Sequence, residues 1–421
     1  MTATQQDEGR SVTSSERPTA PWYRKLLRPL ALIGPAFIAG TWQFGPGSLT
    51  TSIRAGNEFG YQLVWVVVIS TLISVAFTDM SVRISLKSDT SIVATAKEHL
   101  GRTVGFLSGF GVFLLTLIFS VGNAVAVGAS LSILFGGPAV MWMLISTAAV
   151  IFVIFAKNVY RTIERLIIAL LAVMAIGFVV SALMTSPEWD EIGTGLIPTF
   201  PPGSELLIIA LAGTNFSINA AFYISYAIKE RRVKEHQYKE ITLSDTIPGI
   251  SAPGVMAIFV IAAAVATSRQ GVTAESVDDL GAALEPIAGP AASTLFTIGF
   301  FAAAFSSMVA NAMASGTVLS DSFGWGHKLR TPRVKLLVLI PLTFGGIISL
   351  TAGENPVSLI VTAQSLTVLV APLVGLVLLI LVSNKQLMKR LRPRLPLRLF
   401  GIFGFLVLII LSSQLIIGWF T

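Results

Sequence analysis

Long apolar runs alternate with short polar stretches along almost the whole chain. About 20 apolar residues suffice to span a bilayer as a helix. Runs of that kind fall at roughly 30–56, 60–86, 103–135, 138–156, 161–185, 204–228, 248–268, 284–317, 334–351, 355–383 and 399–420. The pattern predicts an all-α integral membrane protein of about eleven transmembrane helices, with no soluble domain. The longest two runs are expected to tilt or to extend past the hydrocarbon. Residues 1–28 are polar and lack an apolar stretch followed by a cleavage site, so they are expected to form a disordered cytoplasmic tail.

Two runs are interrupted. The first contains Gly45-Pro46-Gly47-Ser48, and the sixth contains Ala212-Gly213-Thr214-Asn215-Phe216-Ser217-Ile218-Asn219. Proline removes a helical hydrogen bond and crowds the preceding turn. Glycine adds backbone freedom. In lipid the freed polar groups need partners, so such a break survives only inside protein or beside a water-filled cavity. Either break alone reads equally well as a simple kink. Their placement five runs apart is the pattern of two inverted five-helix repeats plus an eleventh helix, with a substrate site between the discontinuous helices. Residues 29–421 are therefore expected to be one membrane transport domain.

Composition supports lipid as the solvent. Hydrophobic residues make up 53% of the chain and charged residues only 12%, against about 25% charged in soluble domains. Cysteine is absent, which excludes disulfides, thiolate nucleophiles and cysteine metal sites. The net charge of +7 comes from short basic runs between apolar segments and not from a basic soluble face, so no nucleic acid is expected. With the N-terminus inside, every Lys and Arg except Arg54, Arg83 and Arg269 falls on an inner segment. The outer loops hold Glu188, Asp190, Glu191, Glu275, Asp278, Asp279, Glu285 and Glu354. By the positive-inside rule the chain is a multi-pass protein of the plasma membrane, N-terminus cytoplasmic and C-terminus outside. No phosphate cradle, HExxH or catalytic triad is visible, so neither an enzyme nor a cofactor is expected.

The segment GPAFIAGTWQFGPGSLTTSIRAGNEFGYQLVWVVV resembles the first helix and following turn of the Nramp family of divalent-metal transporters. YRTIERLIIALLAVMAIGFVV resembles the fifth helix, LFTIGFFAAAFSSMVANAMASGTVLSDSFG the eighth, and LIVTAQSLTVLVAPLVGLVLLILVSNKQLM the tenth. Order and spacing agree over roughly residues 30–390, and the resemblance implies a LeuT-like fold.

The resemblance also marks a divergent branch. The family carries Asp-Pro-Gly-Asn at the first break, where aspartate and asparagine bind the metal; here those two positions are Gly45 and Ser48. The sixth-helix Met-Pro-His becomes Ile218, Asn219 and Ala220, and a second histidine becomes Ser225. Acidic proton-path positions of the third helix fall at Gly122 and Val125. Gln364 in the tenth helix keeps a polar site position. Transition metals favour anionic oxygen, imidazole or sulfur, and none stands at the matched positions, so no tight metal site is expected. The substrate pocket is expected to use Gly45, Ser48, Thr51, Thr214, Asn215, Ile218, Asn219, Ala220 and Gln364, with Gln43, Asn123 and Ser225 as further candidates.

Such a neutral pocket suggests a divalent-cation permease for a hard or hydrated ion such as Mg²⁺, which keeps its waters readily. It would work by alternating access without the usual proton coupling. The alternative is a permease for a small organic solute such as an amine or amino acid. A non-transporting sensor is a third, weaker reading, since no signalling domain is attached. The expected partners are a small-molecule or ion substrate and the bilayer, for a monomeric chain. Asp79 and Arg83, four apart, read as an internal pair or as a functional charge. Arg54 and Glu58 read as a solvated pair or as a vestibule charge. Asp245 is expected to make a gate or loop contact, Asn311 an interhelical hydrogen bond, and Trp42 either packs or lines the pocket.

Overall fold

The structure, a computed structural model, describes residues 34–155, 159–271, 279, 281–282, 284–285, 289–351, 356–418 and 420. The tail expected at residues 1–28 lies outside these. The first apolar run forms two helices, α1 (Pro35–Gln43) and α2 (Pro46–Phe59). There follow α3 (Val64–Lys87), α4 (Ile92–Leu100), α5 (Arg102–Phe135), α6 (Ala139–Phe155) and α7 (Val159–Met184). The second half comprises the broken pair α8 (Glu205–Phe216) and α9 (Ile218–Glu230), then α10 (Ile247–Arg269), α11 (Pro290–Ser322), α12 (Pro332–Thr351) and α13 (Pro356–Ser383). The last helix is α14 (Leu395–Ile417). Among the described residues nine helical stretches are long and apolar enough to cross a membrane.

The two halves mirror each other in packing. Helix α10 packs on α1 and α2, while its counterpart α3 packs on α8 and α9. The longest helices, α5 with 34 residues and α11 with 33, occupy equivalent positions and form the most extensive interface of the bundle. The broken pair α8–α9 lies at the centre, where every residue from Leu207 to Ile228 is buried. Helix α14 is peripheral and turns Ile402, Phe403, Leu406 and Ile410 outward, as a lipid-facing helix does.

Small residues set the closest crossing. A Cβ on Gly40 of α1 would lie 2.0 Å from the carbonyl oxygen of Gly249 on α10, so the two backbones touch. The ends of the bundle differ in charge. At the basic face Ser85 donates to the Ser225 carbonyl at 2.8 Å and Lys87 pairs with Glu235 at 2.6 Å. At the acidic face Arg269 binds Glu188 at 2.6 Å and also Glu191, tying the outer turn of 189–194 to α10. The Arg269 guanidinium holds the exposed Glu188 carboxyl below the usual carboxylate range.

Candidate functional site at the paired helix breaks

Gly45, in extended conformation at φ −96° and ψ −172°, separates α1 from α2, and Pro46 opens α2. Proline is tolerated there because its missing N–H would have no helical partner. The second break is one residue long. Ser217 lies in the left-handed region at φ 31° and ψ 63° between α8 and α9. A non-glycine residue there costs about 1–2 kcal/mol, and its hydroxyl donates to Asn219 Oδ1 at 2.9 Å.

The two breaks enclose a cavity of about 20 Å³, walled by Trp42, Gln43, Gly45, Pro46, Gly47, Ser48, Phe119, Asn123, Thr214 and Ser217. That is room for about one water-sized body. Gln43 Nε2 donates to the Asn215 carbonyl, and Asn215 Nδ2 to the Leu211 carbonyl at 3.0 Å. Gln43 Oε1, Asn215 Oδ1, Asn123 Nδ2 and Asn219 Nδ2 are buried without a hydrogen-bond partner among the described residues. Buried polar atoms are rarely unmatched, and here four side-chain amides each carry one. A half-turn of a terminal amide exchanges its oxygen and nitrogen, so each can present an acceptor. The C-terminal ends of α1 and α8 also converge on the cavity. Helix C-termini carry partial negative charge and N-termini partial positive charge, and the first turn of α2 (Pro46, Gly47, Ser48) lines the same cavity, so ends of both signs meet there. Among the described residues no three His, Cys, Asp or Glu gather as a metal cluster.

The break carbonyls are less open than the sequence suggests. Ser48 Oγ donates to the Gln43 carbonyl at 3.1 Å, and Ser307 Oγ to the Trp42 carbonyl at 3.2 Å. Of the residues expected in the pocket, Gly45, Ser48, Thr214, Gln43 and Asn123 line the cavity. Asn215 reaches it through Gln43. Thr51 Oγ1 bonds its own helix at the Gly47 carbonyl, 2.9 Å away. Ile218, Asn219 and Ala220 are buried in the first turn of α9, and Ser225 packs two turns on, against α3. Gly122 and Val125 lie on α5 beside Asn123, the first buried and the second partly exposed. The Gln364 side chain lies outside the described residues.

Ser307 was not a sequence candidate. A Cβ on Gly45 would meet Ser307 Oγ at 2.8 Å and Ser307 Cβ at 3.3 Å. Ser307 of α11 thus fills the space that a side chain at position 45 would enter. Nothing in the alanine- and serine-rich run of α11 singles this residue out.

Trp42 separates the cavity from the basic face. Its Nε1 donates to Asn311 Oδ1 at 3.0 Å, and Asn311 in turn donates to the Thr116 carbonyl. The Trp42 ring meets Tyr223 edge-on at 5.6 Å, and Tyr223 stacks on Tyr226 at 5.8 Å. Tyr223 borders a chamber of about 570 Å³ on the far side. Asp245 accepts from the backbone N–H groups of Gly34 at 2.7 Å, Ala36 at 2.8 Å and Phe37 at 3.4 Å, capping α1 from a π-helical turn over Thr242–Thr246. Asp79 and Arg83 form a 2.7 Å pair; Tyr238 OH donates to that carboxylate, and Arg83 also binds the Leu391 carbonyl. Arg54 and Glu58 pair at 2.7 Å at the acidic face.

Known proteins share this architecture. The divalent metal cation transporter MntH of Deinococcus radiodurans is 24% identical over 402 residues, covering 93% of this chain and 89% of that protein. The crystal structure of the Eremococcus coleocola manganese transporter with an aromatic bis-isothiourea compound superposes with a TM-score of 0.75 at 19% identity, covering 97% and 90% of the two chains. MhsT in complex with L-phenylalanine gives a TM-score of 0.60 at 18% identity over 90% and 98%, which supports the LeuT-like fold alone. The expectation of a magnesium permease, and its organic-solute alternative, is overturned by the first two of these relatives, which are named for divalent metal and manganese. Residues 36–418 match the description "Natural resistance-associated macrophage protein-like", and the chain belongs to the Nramp family.

Proposed function

We propose that this membrane transporter carries a divalent transition-metal ion, with Mn²⁺ as the type substrate, through the cavity between the two helix breaks. The observation that carries this reading is the pair of unmatched buried amides, Gln43 and Asn123, lining a space the size of one ion or one water, with Asn215 and Asn219 also unmatched at the second break. Mn²⁺ accepts carbonyl and water oxygens, whereas softer metals ask for thiolate or thioether sulfur. A site with no fixed negative charge binds weakly, and a transport site must release what it binds. The basic face is assigned to the cytoplasm, which puts α1 and α9 on the inner side of the breaks. The two halves of the bundle would rock about the cavity to open it to each side in turn.

Purified chain in proteoliposomes should take up Mn²⁺ saturably above empty liposomes. Gln43→Ala should weaken uptake by about tenfold, the size of one hydrogen bond or ligand to a charge. Absence of Mn²⁺ flux with folded, reconstituted protein would sink the reading.

A further inference from the structure

The chamber beyond Tyr223 holds about 570 Å³ and opens at the basic face. Tyr223, Tyr226 and Thr317 form its walls. It is lined by Arg232, Lys328 and Arg330 against one lining carboxylate, Glu230, while the buried Asp321 carboxylate lies behind the wall, accepting from Tyr226 OH at 2.7 Å and 4.0 Å from His327 Nδ1. Lys229 also lines it, with its ammonium held by the Ser85 and Ser88 carbonyls at 3.2 and 2.5 Å. Arg83 and Lys87, at the same end of the bundle, each have a carboxylate partner. Arg232, Lys328 and Arg330 have none within 4 Å among the described residues. The backbone at Arg232 is left-handed, at φ 54°, which costs a non-glycine residue about 1–2 kcal/mol. Its N–H closes the turn on the Lys229 carbonyl at 3.0 Å.

A rule that places basic residues near the inner membrane surface does not gather them around a cavity. Convergent cations over low-dielectric walls focus the local field and concentrate anions. We infer that this chamber is an oxyanion-binding site for a multiply charged phosphate-type group. The inference goes beyond the proposed metal transport and holds for whichever ion crosses the site. An oxyanion there sits next to Tyr223, on the route from the cavity to the basic face. It offsets the positive charge that a departing cation otherwise meets.

The test is calorimetric titration of the full-length purified chain with inorganic pyrophosphate. Wild-type protein should bind saturably, more weakly as salt is added. Arg232→Gln, and the double variant Lys328→Gln/Arg330→Gln, should weaken binding by about tenfold for each charge removed, as expected of charge-assisted hydrogen bonds. All three residues are exposed, so thermal unfolding should show the variants folded. Repeating the titration in nanodiscs separates the sources of the group. Loss of pyrophosphate binding in phosphatidylglycerol but not in phosphatidylcholine assigns the site to a lipid headgroup; equal binding in both assigns it to a soluble oxyanion. No binding by the wild type, or equal binding by wild type and variants, overturns the inference.

Discussion

Position 45 shows how one missing side chain reshapes its surroundings. The Ser307 hydroxyl lies where a Cβ at Gly45 would crowd it. Gly45→Asp alone must push that hydroxyl off the Trp42 carbonyl, so this variant should gain little. Gly45→Asp/Ser307→Ala frees the space, and a carboxylate near a divalent ion at moderate dielectric is worth several kcal/mol. Calorimetry should show Mn²⁺ binding at least about tenfold tighter in the double variant than in wild type. Equal affinity would show that position 45 does not face the ion. The neutral character of the cavity was legible in the sequence, because Gly45, Ser48 and Asn123 read directly as residues without charge. The part played by Ser307 was not. It depends on a contact across the bundle that leaves no local pattern. The inward turn of Thr51 onto its own helix was equally hidden, since a hydroxyl in a helix can bond the preceding turn or face a pocket.

Among the helices, α1 depends most on a distant residue. Its first turn offers backbone donors that no helical carbonyl can satisfy, and Asp245 takes them. Asp245→Ala should leave these donors buried and unpaired, lowering stability by about 1–3 kcal/mol, read as a lower unfolding temperature. Asp245→Asn keeps an acceptor and should recover part of the loss. If both variants unfold like wild type, the cap does not hold α1. The all-α class could be read from the length of the apolar runs alone, since each long run had only a helix open to it in lipid. The contact of Asp245 was expected in kind but not in detail, because the π-helical turn that aims it has no sequence signature. Amphipathic α4 was passed over. At nine residues it is too short to span a membrane, and its start is marked only by Ser91 accepting from the Ala94 N–H at 3.1 Å.

The chain as a whole has a basic face and an acidic face, and it lacks cysteine, which makes its orientation directly measurable. His236→Cys should react with a membrane-impermeant maleimide only from the cytoplasmic side, and Asp190→Cys only from outside. The reverse pattern would invert the topology. The class of substrate was the least legible property. Reasoning from the ligands that were lost pointed to magnesium or an organic solute. What a cavity can hold also depends on helix ends and on amides brought together from α1, α5 and α8, and a linear reading does not display these. Between cavity and chamber the Trp42 ring meets Tyr223 edge-on. Tyr223→Ala should speed release of Mn²⁺ to the cytoplasmic side in a single-turnover assay while leaving the fold intact; release at the wild-type rate would mean the seal lies elsewhere. A lock built on an edge-on contact of two rings needs only a small turn of one of them to open.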